Sequence, residues 1–153
     1  MKIAYLADLL EHLPTLAAWH LREWGHLRPE ETLETRVEKL RARSGHRQIP
    51  TTIIALRDGV LLGSAPLLAC DMDTRPQWSP WLAGVVVAPE HRRQGIGAAL
   101  AEHAAQEAHA LGYPALYLYT FSTERYYARL GWRPLERSRY LGEPVTIMQR
   151  ELS

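Results

Sequence analysis

Hydrophobic positions change their period along the chain, and each change marks an element. Lys2 to Leu6 is short and apolar enough for a first strand. From Asp8, the residues Leu9, Leu13, Leu16, Ala17, Trp19 and Trp24 recur near helical spacing, with Asp8 placed to cap the start. Pro29, Glu30 and Glu31 suit the first turn of a second helix, whose stripe is Leu33, Val37 and Leu40 and whose stop is Ser44-Gly45. Thr51 to Leu56 is short and β-branched, Asp58-Gly59 is a hairpin signal, and Val60 to Cys70 resumes as a strand in which Pro66 marks a bulge or an edge. Asp71 to Pro80 reads as a loop, and Trp81 to Val87 is the most strand-like run in the chain. Gly95 to Leu111 predicts a helix with Ile96, Leu100, Ala104, Ala108 and Leu111 on one stripe, stopped by Gly112. Ala115 to Tyr119 is a strand, Thr123 to Leu130 a short helix closed by Gly131, and Val145 to Met148 part of a final β region. This order predicts one mixed α/β domain over residues 1–153, with helices on both faces of a sheet.

Composition narrows the function classes. The chain has 153 residues, 46% of them hydrophobic and 23% charged, which is enough for a packed core without staples. The single cysteine, Cys70, excludes an internal disulfide and a multi-cysteine metal cluster, and points to the cytoplasm. A net charge of +1 argues against nucleic acid or a membrane surface as partner. No apolar run reaches the length of a membrane span, and Asp8 and Glu11 stand where a signal-peptide core would be. The seven histidines show no metal-ligand spacing, so no metal is expected.

The chemistry concentrates between Val85 and Leu100. There an apolar run (Val85, Val86, Val87) ends, a basic loop follows, and a helix opens on Gly95 and Gly97. A helix start offers unpaired N–H groups and a positive dipole end, which suits a phosphate, and glycine lets a ligand approach the backbone. A P-loop would need Gly-Lys-Ser or Gly-Lys-Thr, which is absent, and a dinucleotide fingerprint would need a third glycine where Leu100 stands. Arg92-x-x-Gly95-x-Gly97, led in by Val87-Ala88-Pro89-Glu90, resembles the acetyl-CoA signature of the GNAT N-acetyltransferase superfamily. A second segment, Tyr126-Tyr127-Ala128-Arg129-Leu130-Gly131-Trp132, resembles the aromatic-Tyr-x-x-x-Gly-aromatic element near the C-terminus of that family. The short junction Thr120 to Thr123 and the segment Leu141 to Val145 show a local similarity to the actin N-terminal acetyltransferase branch.

The resemblance implies a central, mostly antiparallel mixed sheet with a splayed strand pair. It implies acetyl-CoA as cosubstrate, with the backbone of Val85, Val86 and Val87 pairing with pantetheine. The loop Arg92, Arg93, Gln94, Gly95, Ile96, Gly97 and Ala98 would hold the pyrophosphate. Many family members have glycine where this chain has Arg93. Tyr127 would protonate the departing thiolate, a task its usual pKa near ~10 allows, while Tyr126 is expected to be a core residue. The glutamate base of the bacterial ribosomal-protein acetylases has no counterpart, since Tyr119 stands at about its position. Asp71, Asp73, Glu124, His91 and bound water are the candidate bases. Trp19, His20, Trp24 and His26 either shape the acceptor pocket or pack on the sheet. The expected activity is transfer of an acetyl group to a primary amine, on a small molecule or a peptide N-terminus, by direct attack in a ternary complex. The rival is a non-catalytic acyl-CoA-binding sensor. A homodimer is possible.

Overall fold

Alternation along one central strand decides the layering. The computed structural model describes residues 1–152. In β2 (Thr51–Arg57), every residue from Thr51 to Leu56 is buried, so both faces of the strand are covered. Ile53 and Ala55 pack into one apolar cluster, Ile54 and Leu56 into the other, because successive strand side chains point to opposite faces. The first cluster takes the Ile96, Leu100, Ala101, Ala104, Ala105 and Ala108 stripe of α3 (Ile96–Ala110). The second takes Leu13, Leu16 and Ala17 of α1 (Leu13–Trp24) and Leu40 of α2 (Leu33–Ala42). The expected mixed α/β architecture with helices on both faces is therefore what forms.

The remaining strands are β1 (Lys2–Tyr5), β3 (Val60–Leu68), β4 (Trp81–Leu82), β5 (Val86–Val87), β6 (Ala115–Thr120), β7 (Arg133–Tyr140) and β8 (Glu143–Glu151). A short helix, α4 (Glu124–Arg129), joins β6 to β7. The sheet order is β1-β2-β3-β4-β6-β8-β7, with β5 attached to β3 alone. All pairings are antiparallel except β4 with β6.

Several expected boundaries move, each for a local reason. Asp8 does not cap α1; it lies in a 3-10 turn and meets His46 Nε2 at 2.6 Å. Helix α1 begins at Leu13 because Pro14, lacking an N–H, fits only in a first turn. Helix α2 starts after Thr32, not at Pro29. A reciprocal cap forms there, with Thr32 Oγ1 accepting from Thr35 N at 3.2 Å and Thr35 Oγ1 from Thr32 N at 2.9 Å. Strand β7 went unseen in the pattern: its polar residues form an exposed sheet edge, where no apolar alternation is required. The expected strand Trp81 to Val87 breaks into β4 and β5. No helix among the described residues is long and apolar enough to cross a membrane.

Candidate active site

The break between β4 and β5 opens the sheet. Trp81 pairs with Tyr117 of β6, and Tyr117 N donates to Pro80 O at 3.0 Å. Past that point β5 follows β3, at Ser64↔Val86 and Gly63↔Val87, and has no partner on its other side. Ala88 N donates to Leu62 O at 2.8 Å. Antiparallel ladders alternate bonded and non-bonded pairs, so Val86 shares its backbone with β3 while the N–H and C=O of Val87 face away. Of these two groups only the Val87 N–H is left free toward the opening, because the Val87 carbonyl accepts from Arg92 Nε. Gly63 permits the close approach, since a Cβ there would lie 2.6 Å from Val86 O. The result is a cleft of about 600 Å³, with Val85, Val86 and Val87 on one wall and Leu118, Tyr119 and Thr120 of β6 on the other.

The N-terminus of α3 closes one end. Arg93 and Gly95 both adopt left-handed backbone, at φ 63° and 79°. The conformation that glycine would supply at position 93 therefore persists with arginine there. A Cβ on Gly95 would meet nothing within 4 Å, and one on Gly97 would lie 3.1 Å from Tyr126 Oη. Arg92, Arg93, Gly95, Ile96, Gly97 and Ala98 line the cleft; Gln94 does not, and its Oε1 accepts from Arg57 at 3.4 Å. Arg92 is already engaged. Its Nε donates to Val87 O at 3.1 Å and its guanidinium pairs with Glu23 of α1 at 2.5 Å. The side chain thereby locks the turn from β5 into α3, which leaves the backbone N–H groups of the helix start as the groups suited to an anion.

Both tyrosines of α4 border the cleft, which corrects the expectation for Tyr126. Its hydroxyl overhangs Gly97, while Tyr127 packs against the core beside Leu130 and Trp132. Burial, with a smaller contribution from Tyr126, raises the Tyr127 phenol above its ordinary value. Its hydroxyl makes no hydrogen bond among the described residues and stays protonated at neutral pH.

The other end of the cleft is charged. His20 is 2% exposed and its Nδ1 lies 2.8 Å from Arg36 Nη2. A guanidinium only donates, so Nδ1 accepts and the proton sits on Nε2, which has no partner. Burial and then Arg36 and Arg43 depress the His20 pKa to about 3, keeping the ring neutral. Asp71 sits in the same wall; burial pushes its carboxyl up to about 6, with Arg43, Arg28 and Arg36 pulling the other way. Among the proposed bases, Asp71 and His91 reach the cleft. Glu124 is held by Arg137 at 2.9 and 3.0 Å, and Asp73 lies outside. Sequence reading passed over Arg28, Arg36 and Arg43, which look like solvated helix-end residues until the chain folds. Trp24 lies over Gly84, where a Cβ would come within 3.0 Å of its ring. No group of three or more His, Cys, Asp or Glu side chains among the described residues is placed to hold a metal ion.

Comparison with known proteins matches the profile of the acetyltransferase (GNAT) family to residues 13–132. Solved structures share the fold across nearly the whole chain. An aminoglycoside 6'-acetyltransferase type Ii has a TM-score of 0.78 at 18% identity, covering 100% of this chain and 98% of that one. A ribosomal-protein-alanine N-acetyltransferase from Brucella melitensis has a TM-score of 0.78 at 21% identity, covering 99% and 100%. An aminoglycoside 6'-N-acetyltransferase complexed with coenzyme A has a TM-score of 0.74 at 16% identity, covering 100% and 98%. No curated protein matches by sequence.

Proposed function

The chain belongs to the acetyltransferase (GNAT) family, and from that premise we propose that it is an acetyl-CoA-dependent N-acetyltransferase acting on a primary amine by direct attack in a ternary complex. The observation that carries this reading is the parting of β5 from β6 directly before the N-terminus of α3. An open strand edge suits an extended amide chain, which would lie along Val85 to Val87 as an added strand. The pyrophosphate would lie against the N–H groups of Gly95 to Ala98, where the absent Cβ of Gly95 leaves open space. The cleft therefore fits the donor, which supplies an activated thioester carbonyl when bound.

The chain's own groups would do the rest. The Val87 N–H, turned from β3, would donate to the thioester carbonyl oxygen as negative charge develops there. Tyr127 would donate its phenolic proton to the departing sulfur, and its raised pKa keeps that proton in place until needed. Asp71, pushed up to about 6 and still mostly ionised at neutral pH, is the best-placed group to take a proton from the amine, directly or through water. That placement favours turnover over the rival reading of a non-catalytic acyl-CoA sensor.

Calorimetric titration of acetyl-CoA into the protein tests the reading. Micromolar binding is expected for the unmodified chain and none for Gly97→Trp, whose side chain would collide with Tyr126 and Val87. Absence of binding by the unmodified chain would sink both the enzyme and the sensor.

A further inference from the structure

Two arginines at the charged end of the cleft have no acidic partner. Nine ion pairs are formed among the described residues, and neither Arg28 nor Arg43 takes part in one. Their neighbour Arg36 is satisfied by Glu31 at 3.3 Å and by His20. Both free arginines are half-buried in the cleft wall, and both act electrostatically on Asp71 and on Tyr119 across from it. The His20 ring borders the same cleft, with its Nε2–H sealed from solvent.

This cluster is separate from the phosphate end. Asp71 follows the C-terminal end of β3, whereas the turn into α3 leaves from Val87, opposite Gly63 near the start of β3. At ~3.3 Å per strand residue, Gly63 and Leu68 alone are roughly 17 Å apart. The two basic regions therefore face opposite ends of one cleft.

Resting on the acetyltransferase reading, we propose that the acceptor is a small primary amine carrying its own anionic group, carboxylate or phosphate. The anion binds to Arg28 and Arg43, and the amine faces Asp71. A zwitterion fits because the site offers both signs at short range. A polycation does not, because it would bring positive charge against two guanidiniums that form no ion pair among the described residues.

The test measures acceptor binding directly, so it does not depend on turnover. Free L-amino acids and phosphoethanolamine are titrated into the protein with and without coenzyme A, beside the amino-acid amides, ethanolamine, putrescine and kanamycin. Anion-bearing amines are expected to bind at least ~10-fold more tightly than their counterparts without the anion, and Arg43→Gln to erase that preference. Preference for carboxylate over phosphate, or the reverse, identifies the source of the anion. Arg43→Gln should leave coenzyme A affinity unchanged, which also shows that the variant is folded. Equal binding of acids and amides, tighter binding of kanamycin or putrescine, or loss of coenzyme A affinity in Arg43→Gln would overturn the proposal. Loss of coenzyme A binding by the unmodified chain would instead remove the acetyltransferase reading, while the anion preference would still be read without coenzyme A.

Discussion

At Arg93 a side chain occupies backbone that favours glycine. A left-handed residue with a Cβ costs about 1–2 kcal/mol. Arg93→Gly relieves that strain but also loosens the unfolded chain, so a net gain of about 0.5 kcal/mol is expected in urea denaturation. Glutamate or aspartate at the same position would keep the strain and place negative charge beside the helix N-terminus. Tyr127 is the other residue whose role rests on one atom. Tyr127→Phe removes only a hydroxyl from a well-packed ring, so stability should hold while kcat falls by about 10²-fold, with acetyl-CoA affinity unchanged. A kcat within twofold of the unmodified enzyme would take the proton-donor role away from Tyr127. The sequence singles out both positions, because each lies in a motif whose spacing is local. It does not single out the free Nε2–H of His20: its tautomer is set by Arg36, sixteen residues away on another helix.

Among the elements, the cleft exists because β3 serves two short strands in place of one long one. Gly63 is the pivot, with Val86 O within 2.6 Å of its missing Cβ and the Leu100 side chain at 3.1 Å. Backbone cannot yield as a flexible side-chain tip does, so Gly63→Ala must push β5 away from β3. A destabilisation of about 2–3 kcal/mol is expected, together with weaker acetyl-CoA binding. Normal donor affinity in a folded Gly63→Ala protein would show that β5 does not position the donor. Apolar patterning marked Trp81 to Val87 as a strand, and Trp81, Leu82, Ala83 and Val86 are buried while Gly84, Val85 and Val87 are half-buried. It could not show the break, because both halves keep apolar side chains while only the backbone partners change. The edge strand β7 escaped detection for the converse reason: its hydrogen bonds to β8 form without an apolar face.

Over the whole molecule, two titratable groups at the charged end of the cleft, buried His20 and half-buried Asp71, give opposite pH dependence. His20 stays neutral down to about pH 3 in the fold but protonates near 6.5 when unfolded, so its contribution is present above pH 6.5 and lost as pH falls. Asp71 behaves inversely. Its folded pKa lies above the unfolded value, so its contribution is present below about pH 4 and lost as pH rises through 6. Asp71→Asn should therefore gain stability relative to the unmodified protein as pH rises from 4 to 6, by about 1–2 kcal/mol, seen in melting temperatures across that range. In the proposed reaction, the rate should rise with pH through about 6, and Asp71→Asn should abolish that limb. A pH-independent difference in stability would mean that Asp71 titrates normally. The sequence by itself determined the alternation that layers helices on both faces of the sheet, the glycine-opened helix start and the tyrosine helix, because each is written in residues close along the chain. Only the tertiary structure decided where the sheet parts, which backbone groups are left free, and that His20, Arg28, Arg43 and Asp71 share one wall. Those outcomes depend on pairings between distant segments, and hydrophobic periodicity records which side of an element is buried, not what it is buried against.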